Sequence, residues 1–127
     1  MKIIPDSNRF IDFWKRPTDV DRKVFDEEEI ILCGPVRAEL LQGAWSVKNF
    51  NEISRGLDSF QEINLSTGDW NRLGEVLYIL RRHGLTVPLA DSIIAAISIK
   101  YGIPVWTNDK HFLMMNSWLQ GLKIWSP

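Results

Sequence analysis

Short apolar runs alternate with longer amphipathic stretches along the whole chain, and that alternation predicts strands separated by helices. The opening Lys2-Ile3-Ile4-Pro5 is an apolar strand that stops at Asp6, with Ser7 and Asn8 standing where a helix cap belongs. Phe10, Ile11, Phe13 and Trp14 give that helix its apolar face. Pro17 marks the loop beyond it, and the strongly charged segment from Asp19 to Glu28 predicts a second, short helix. Ile30-Ile31-Leu32-Cys33 lacks polar alternation, as a buried parallel strand would.

Gly34-Pro35 restarts the chain as a helix with proline in its first turn, where a missing N–H costs nothing, and Val36, Leu40, Gly43 and Ala44 form its inner stripe. Residues 47–57 predict another helix with Phe50 and Ile53 inward, and Gln61-Glu62-Ile63 a short strand. Ser66 with Asp69 has the spacing of a capping box, opening a long helix whose stripe is Trp70, Leu73, Leu77 and Leu80 and whose end is Gly84. A further helix runs from about Ala90 to Tyr101, with Ala90, Ile93, Ile94, Ile97 and Tyr101 inward and Gly102 as its stop. Ile103 to Trp106 predicts a strand ending at Thr107-Asn108-Asp109, and Leu122 to Trp125 a last short one. Strands alternating with helices predict a three-layer α/β sandwich around a central, mainly parallel sheet.

The 127 residues, 45% of them hydrophobic, suffice for one core and are too few for two, so residues 1–127 are expected to form a single domain. The start of the chain does not resemble a secretory leader, and the longest apolar stretch, Ile93 to Ile99, is too short to span a bilayer. No membrane role and a cytoplasmic location are therefore expected. Cys33 is the only cysteine and sits in an apolar run, which fits a buried reduced thiol better than a nucleophile. His83 and His111 form no HxxxH pattern, which argues against zinc. The net charge of −1 shows no basic excess for a nucleic acid. Acids gathered around a cation would, however, leave the remaining surface more positive than that sum.

Acids are the chemistry this chain offers. In an open parallel sheet, ligands bind beyond the carboxyl ends of the strands, and Asp6 and Asp109 both fall there. Glu39 lies one turn into the helix after the second strand, and Asp91 in the first turn of its helix, where the dipole favours its ionised form. Each has an ordinary structural alternative: a turn or cap for Asp6, Asp91 and Asp109, and a solvated salt bridge to Arg37 or Lys48 for Glu39.

The segments Ile4-Pro5-Asp6-Ser7-Asn8, Gly34 to Gly43, Arg81 to Ile97 and Thr107-Asn108-Asp109-Lys110-His111-Phe112 together resemble a PIN-domain ribonuclease, above all its VapC branch, the toxin half of type II toxin–antitoxin pairs. The run Arg81-Arg82-His83-Gly84-Leu85-Thr86-Val87-Pro88-Leu89-Ala90-Asp91 is similar to that family's approach to its third acidic residue. The resemblance implies a catalytic quartet of Asp6, Glu39, Asp91 and Asp109, with Asp6, Asp91 and Asp109 as metal ligands and Asn8 and Thr107 as accessory polar positions. It implies Mg²⁺, replaceable by Mn²⁺, and cleavage of RNA phosphodiester bonds by metal-activated water. Arg9, Lys15, Arg16, Arg81, Arg82 and Lys110 are the candidates to meet RNA phosphates, although Arg81 and Arg82 also suit a helix C-terminus for dipole reasons alone. A cognate antitoxin and a homodimer are the implied partners, with Phe10, Phe13, Trp14, Trp45 and Phe50 as the candidate dock. The alternatives are an RNA-processing nuclease outside any toxin pair, a phosphoacceptor regulatory domain, which would use Asp6 and leave Glu39 and Asp91 idle, and a non-catalytic interaction module.

Overall fold

The computed structural model describes all 127 residues. Its first strand, β1 (Lys2–Pro5), takes the centre of a five-stranded sheet. It is flanked by β2 (Glu29–Leu32) on one side and β4 (Val105–Trp106) on the other, with β3 (Gln61–Glu62) and β5 (Ile124–Trp125) outermost. All pairings are parallel, with Ile3 opposite Ile30 and Ile4 opposite Val105. Side chains alternate faces along a strand, yet Ile3 and Ile4 are both wholly buried, as are Ile31 and Leu32. Helices therefore cover the sheet on both sides, which is the predicted layered α/β architecture with every strand parallel.

The helices form where local chemistry starts them. Asp6 itself, rather than Ser7 or Asn8, caps α1 (Ser7–Lys15), because its carboxylate accepts the N–H of Arg9. A Thr18/Asp21 capping box opens α2 (Asp19–Glu27), and Pro35 stands in the first turn of α3 (Gly34–Gln42). Ser46 caps α4 (Val47–Leu57). The predicted Ser66/Asp69 box is present, but it closes a single 3₁₀ turn before α5 (Trp70–Arg82). Gly102, in the left-handed region at φ 65°, ends α6 (Leu89–Tyr101). The sequence pattern does not predict α7 (Lys110–Asn116), which buries only Phe112 and Met115.

The inner faces differ from the predicted stripes in several places. On α5 the buried line is Leu73, Val76 and Leu80, which leaves Leu77 at its edge and Trp70 exposed one turn before the core begins. On α4, Phe50 is exposed, because the helix packs on α3 and buries its far end at Leu57. Gly43 is exposed where α3 ends. The stripe on α6 is replaced by a nearly continuous buried run, Ser92 and Ile94 to Ser98, because α3, α5 and α7 all pack against this helix. Tyr101, expected inward, is exposed at its end. The small side chains on α6 keep their hydroxyls satisfied internally, Ser92 donating to the Leu89 carbonyl and Ser98 to that of Ile103. Cys33 is fully buried, and burial pushes its thiol up to about 12, which makes it inert. No helix is long and apolar enough to cross a membrane.

Candidate active site

The chain moves outward from β1 through β2 to β3, then returns across the sheet to β4 and β5. Strand order thus reverses between β1 and β4, and a crevice opens at their carboxyl ends. Asp6 follows β1 and Thr107 follows β4, so topology alone sets them side by side. The Thr107 hydroxyl donates to one Asp6 oxygen, and the Arg9 N–H donates to the other at 3.1 Å. Burial pushes the Asp6 carboxyl above its usual range, partly offset by these two bonds and by the Arg9 charge. Thr107 also accepts the Asp109 N–H at 2.9 Å, which fixes the turn into α7. Asp109 caps that helix by accepting the His111 N–H at 2.8 Å.

Asp91, in the first turn of α6, completes the rim. Its Oδ2 lies 3.6 Å from His111 Nδ1, which is 3.0 Å from Asp109 Oδ1. Asp91, Asp109 and His111 each present a ligand atom within 4.8 Å of the others. Burial, reinforced by the charges of Asp109, Glu39 and Asp6, pushes the Asp91 carboxyl up to about 6, with His111 pulling the other way. Glu39, on the exposed side of α3, is held by the Ser7 hydroxyl at 2.9 Å. Asp109, Glu39 and Asp6 all lie near enough to Asp91 for their charges to act on it, Asp109 and His111 being its closest partners, and no Lys or Arg side chain makes an ion pair with any of the four acids. His111 Nδ1, although close to two carboxylates, is buried without a well-directed hydrogen bond. The raised Asp6 and Asp91 carboxyls and an unpartnered imidazole nitrogen suit a divalent cation, since hard oxygen donors fit Mg²⁺ and added imidazole fits Mn²⁺.

The PIN-domain sequence model matches residues 3–116. The chain belongs to the PIN-domain family. Among relatives, this PIN-domain chain is 27% identical over 89 residues to Ribonuclease VapC18 of Mycobacterium tuberculosis, a match spanning 67% of the chain and 65% of that protein's length. Its fold is similar to a chain of DNA-bound VapBC from Salmonella typhimurium, with a TM-score of 0.80 at 22% identity over 98% of this chain and 97% of that one. It is also similar to VapBC2 from Rickettsia felis bound to promoter DNA, with a TM-score of 0.79 at 19% identity over 99% and 100% of the two chains.

The other predicted residues of the PIN domain divide by position. Asn8 and Arg9 line a cavity of about 310 Å³ with Asp6 and Asp109, and Thr107 is bound to Asp6. Arg16 lines a neighbouring cavity, while Lys15 borders a groove that also includes Glu39. Lys110 is exposed beside Asp109 at the start of α7. Arg81 and Arg82 are exposed in the last turn of α5, and no ion pair or cavity wall joins them to the acidic cluster. Sequence reasoning singled out neither Ser7 as the partner of Glu39 nor His111 as the neighbour of two carboxylates. The two-residue spacing from Asp109 to His111 was the available signal, because a capping Asp brings the residue two positions on against itself.

Proposed function

We propose that this PIN-domain chain is a metal-dependent endoribonuclease and the toxin component of a type II toxin–antitoxin pair. The observation that carries this reading is the grouping of Asp91 with Asp109 and His111, close enough to Asp6 and Glu39 for their charges to act on it, with no Lys or Arg ion-paired to any of the four acids. Asp6, Asp91 and Asp109 hold Mg²⁺ in this reading, with Mn²⁺ able to substitute. The ion supplies charge neutralisation for phosphate oxygens and acidifies water. Thr107 and the Arg9 N–H fix the Asp6 carboxylate, so its ligand oxygens are oriented before any ion arrives. Asp109 is oriented in the same way by the His111 N–H. Glu39, held by Ser7, orients the attacking water.

The antitoxin's seat in this reading is a groove of about 640 Å³ between α1, α3 and α4, where Phe13, Trp14, Trp45 and Ile53 give an apolar wall and Glu39 also lines the groove. Two members of the predicted dock are elsewhere: Phe10 is in the core, edge-on to Phe25 and Phe60, and Phe50 lies outside the groove lining. Trp45, 82% exposed, is the most open apolar side chain of the groove and the natural anchor for an amphipathic segment. A homodimer belongs to the same reading, supported by the exposed Tyr78, Ile79, Met114 and Trp118 on α5 and around α7. The name of the Mycobacterium relative and the VapBC assemblies with similar folds support both the activity and the partner.

Incubation of the purified protein with total RNA, with Mg²⁺ or with EDTA, followed by mapping of the cut ends, tests the activity. Cleavage with Mg²⁺ alone is expected. Cleavage that persists in EDTA, or none under either condition, would overturn the reading.

A further inference from the structure

A second cavity, of about 360 Å³, adjoins the acidic one and shares Arg9, Asp12 and Asn108 with it. Its walls hold polar groups that the chain leaves without partners. Trp106 is 1% exposed and its indole N–H meets no acceptor, and the buried Nε–H of Arg9 is in the same position. The Arg9 guanidinium lies over the Trp106 ring, 4.7 Å from its centre, so both orphaned donors belong to one stacked pair. Buried donors without acceptors are costly, and an acceptor that reached them through a shift of the partly exposed Arg9 side chain would recover that cost. Asp12 and Arg16, also on the cavity wall, take part in no ion pair. Asp21 is already committed to the capping box with Thr18.

The occupant must therefore satisfy donors and a carboxylate at once. A bare phosphate would satisfy the arginines and be repelled by Asp12 and Asp21. A neutral ring with an acceptor edge and a donor edge fits both. Guanine has the adjacent acceptors O6 and N7, which a guanidinium meets in bidentate fashion, and the adjacent donors N1–H and N2–H, which a carboxylate accepts. We propose that this cavity is a guanine subsite, taking the base of an RNA nucleotide next to the cleaved bond. Arg9 and Arg16 read its acceptor edge, Asp12 its donor edge, and Trp106 contributes a further donor on the Arg9 wall. The RNA context rests on the nuclease reading above, but the base recognition does not.

The test uses ¹⁵N-labelled full chain in EDTA, with the Trp106 indole signal assigned from Trp106→Phe. Guanosine 5′-monophosphate is expected to move that signal and to bind about tenfold or more tightly than the adenosine, cytidine and uridine monophosphates. Asp12→Asn, at an exposed side chain without a partner, should abolish that preference with the spectrum otherwise unchanged. Equal binding of the four nucleotides would overturn the proposal, as would an equal response to inorganic phosphate, a Trp106 signal that does not move, or an intact preference in Asp12→Asn. Because no metal or cleavage is needed, guanine binding by a chain that cuts no RNA would sink the nuclease reading alone. Magnesium-dependent cleavage without guanine binding would sink this proposal alone.

Discussion

Two aspartates on α6 and its neighbours, the partly buried Asp91 at one end of the helix and the buried Asp69 packed near the other, respond to folding in opposite ways. Asp69 accepts two bonds from the Lys100 amine, at 2.7 and 2.9 Å, and two more from Ser66, and these partners hold its carboxyl down at about 2. Asp91 faces three other carboxylates and a half-exposed imidazole, and its carboxyl rises to about 6. The same residue type is thus stabilised in one place and left in unfavourable company in the other. The first is an architectural device, which ties the start of α5 to the end of α6. The second makes sense as an arrangement kept for something the chain does not itself supply, a divalent cation.

The contrast is broken most severely at the rim. Asp91→Asn should lower the rate of Mg²⁺-dependent RNA cleavage by at least about a hundredfold while its circular dichroism spectrum stays that of the wild type. In the absence of metal the same substitution should stabilise the protein at pH 7, on the order of 1–3 kcal/mol, measured by urea unfolding in EDTA. A loss of stability there would show that Asp91 is satisfied within the chain.

Acidity should separate the two sites next. Asp91 has a folded pKa above its unfolded value of 3.8, so the folded state holds the extra proton and this group destabilises the protein as pH rises from about 4 through 6. Asp69 has a folded pKa below 3.8, so its contribution is present above that value and is lost as pH falls towards 2. Metal-free unfolding measured from pH 3 to 8 should therefore lose stability between 4 and 6 in the wild type and lose less in Asp91→Asn, where the raised Asp6 carboxyl still contributes. Added Mg²⁺ should remove that loss. Lys100→Met should lower Tm at pH 7 and have no effect near pH 2, where Asp69 is becoming protonated. Ser7→Ala should have the smallest effect, a few-fold fall in cleavage rate from a less firmly held Glu39, with Tm unchanged.

Much of this arrangement was legible in the chain before folding. The strands Lys2–Pro5 and Glu29–Leu32 show as apolar runs because both of their faces are covered, and the stops at Asp6 and after Trp106 show where strands hand over to loops. Placement of acids at strand ends and first helical turns was enough to pick out the rim, because topology brings such positions together. What stayed hidden depends on contacts between distant segments. The α7 helix is too short for its two buried residues to establish a period. The burial of α6 on several sides erased the stripe that periodicity predicts. Phe10 looked available to a partner because nothing local shows that Phe25 and Phe60 close around it. The pairing of Arg9 with Trp106 joins α1 to β4 and has no signature in either segment alone.

The central claim is that the four-acid crevice is built to hold a divalent cation, and calorimetric titration of the metal-free protein with Mn²⁺ tests it most directly. Saturable binding by the wild type that is abolished in Asp91→Asn is the predicted result. Absence of binding, or equal binding by the two proteins, would contradict it.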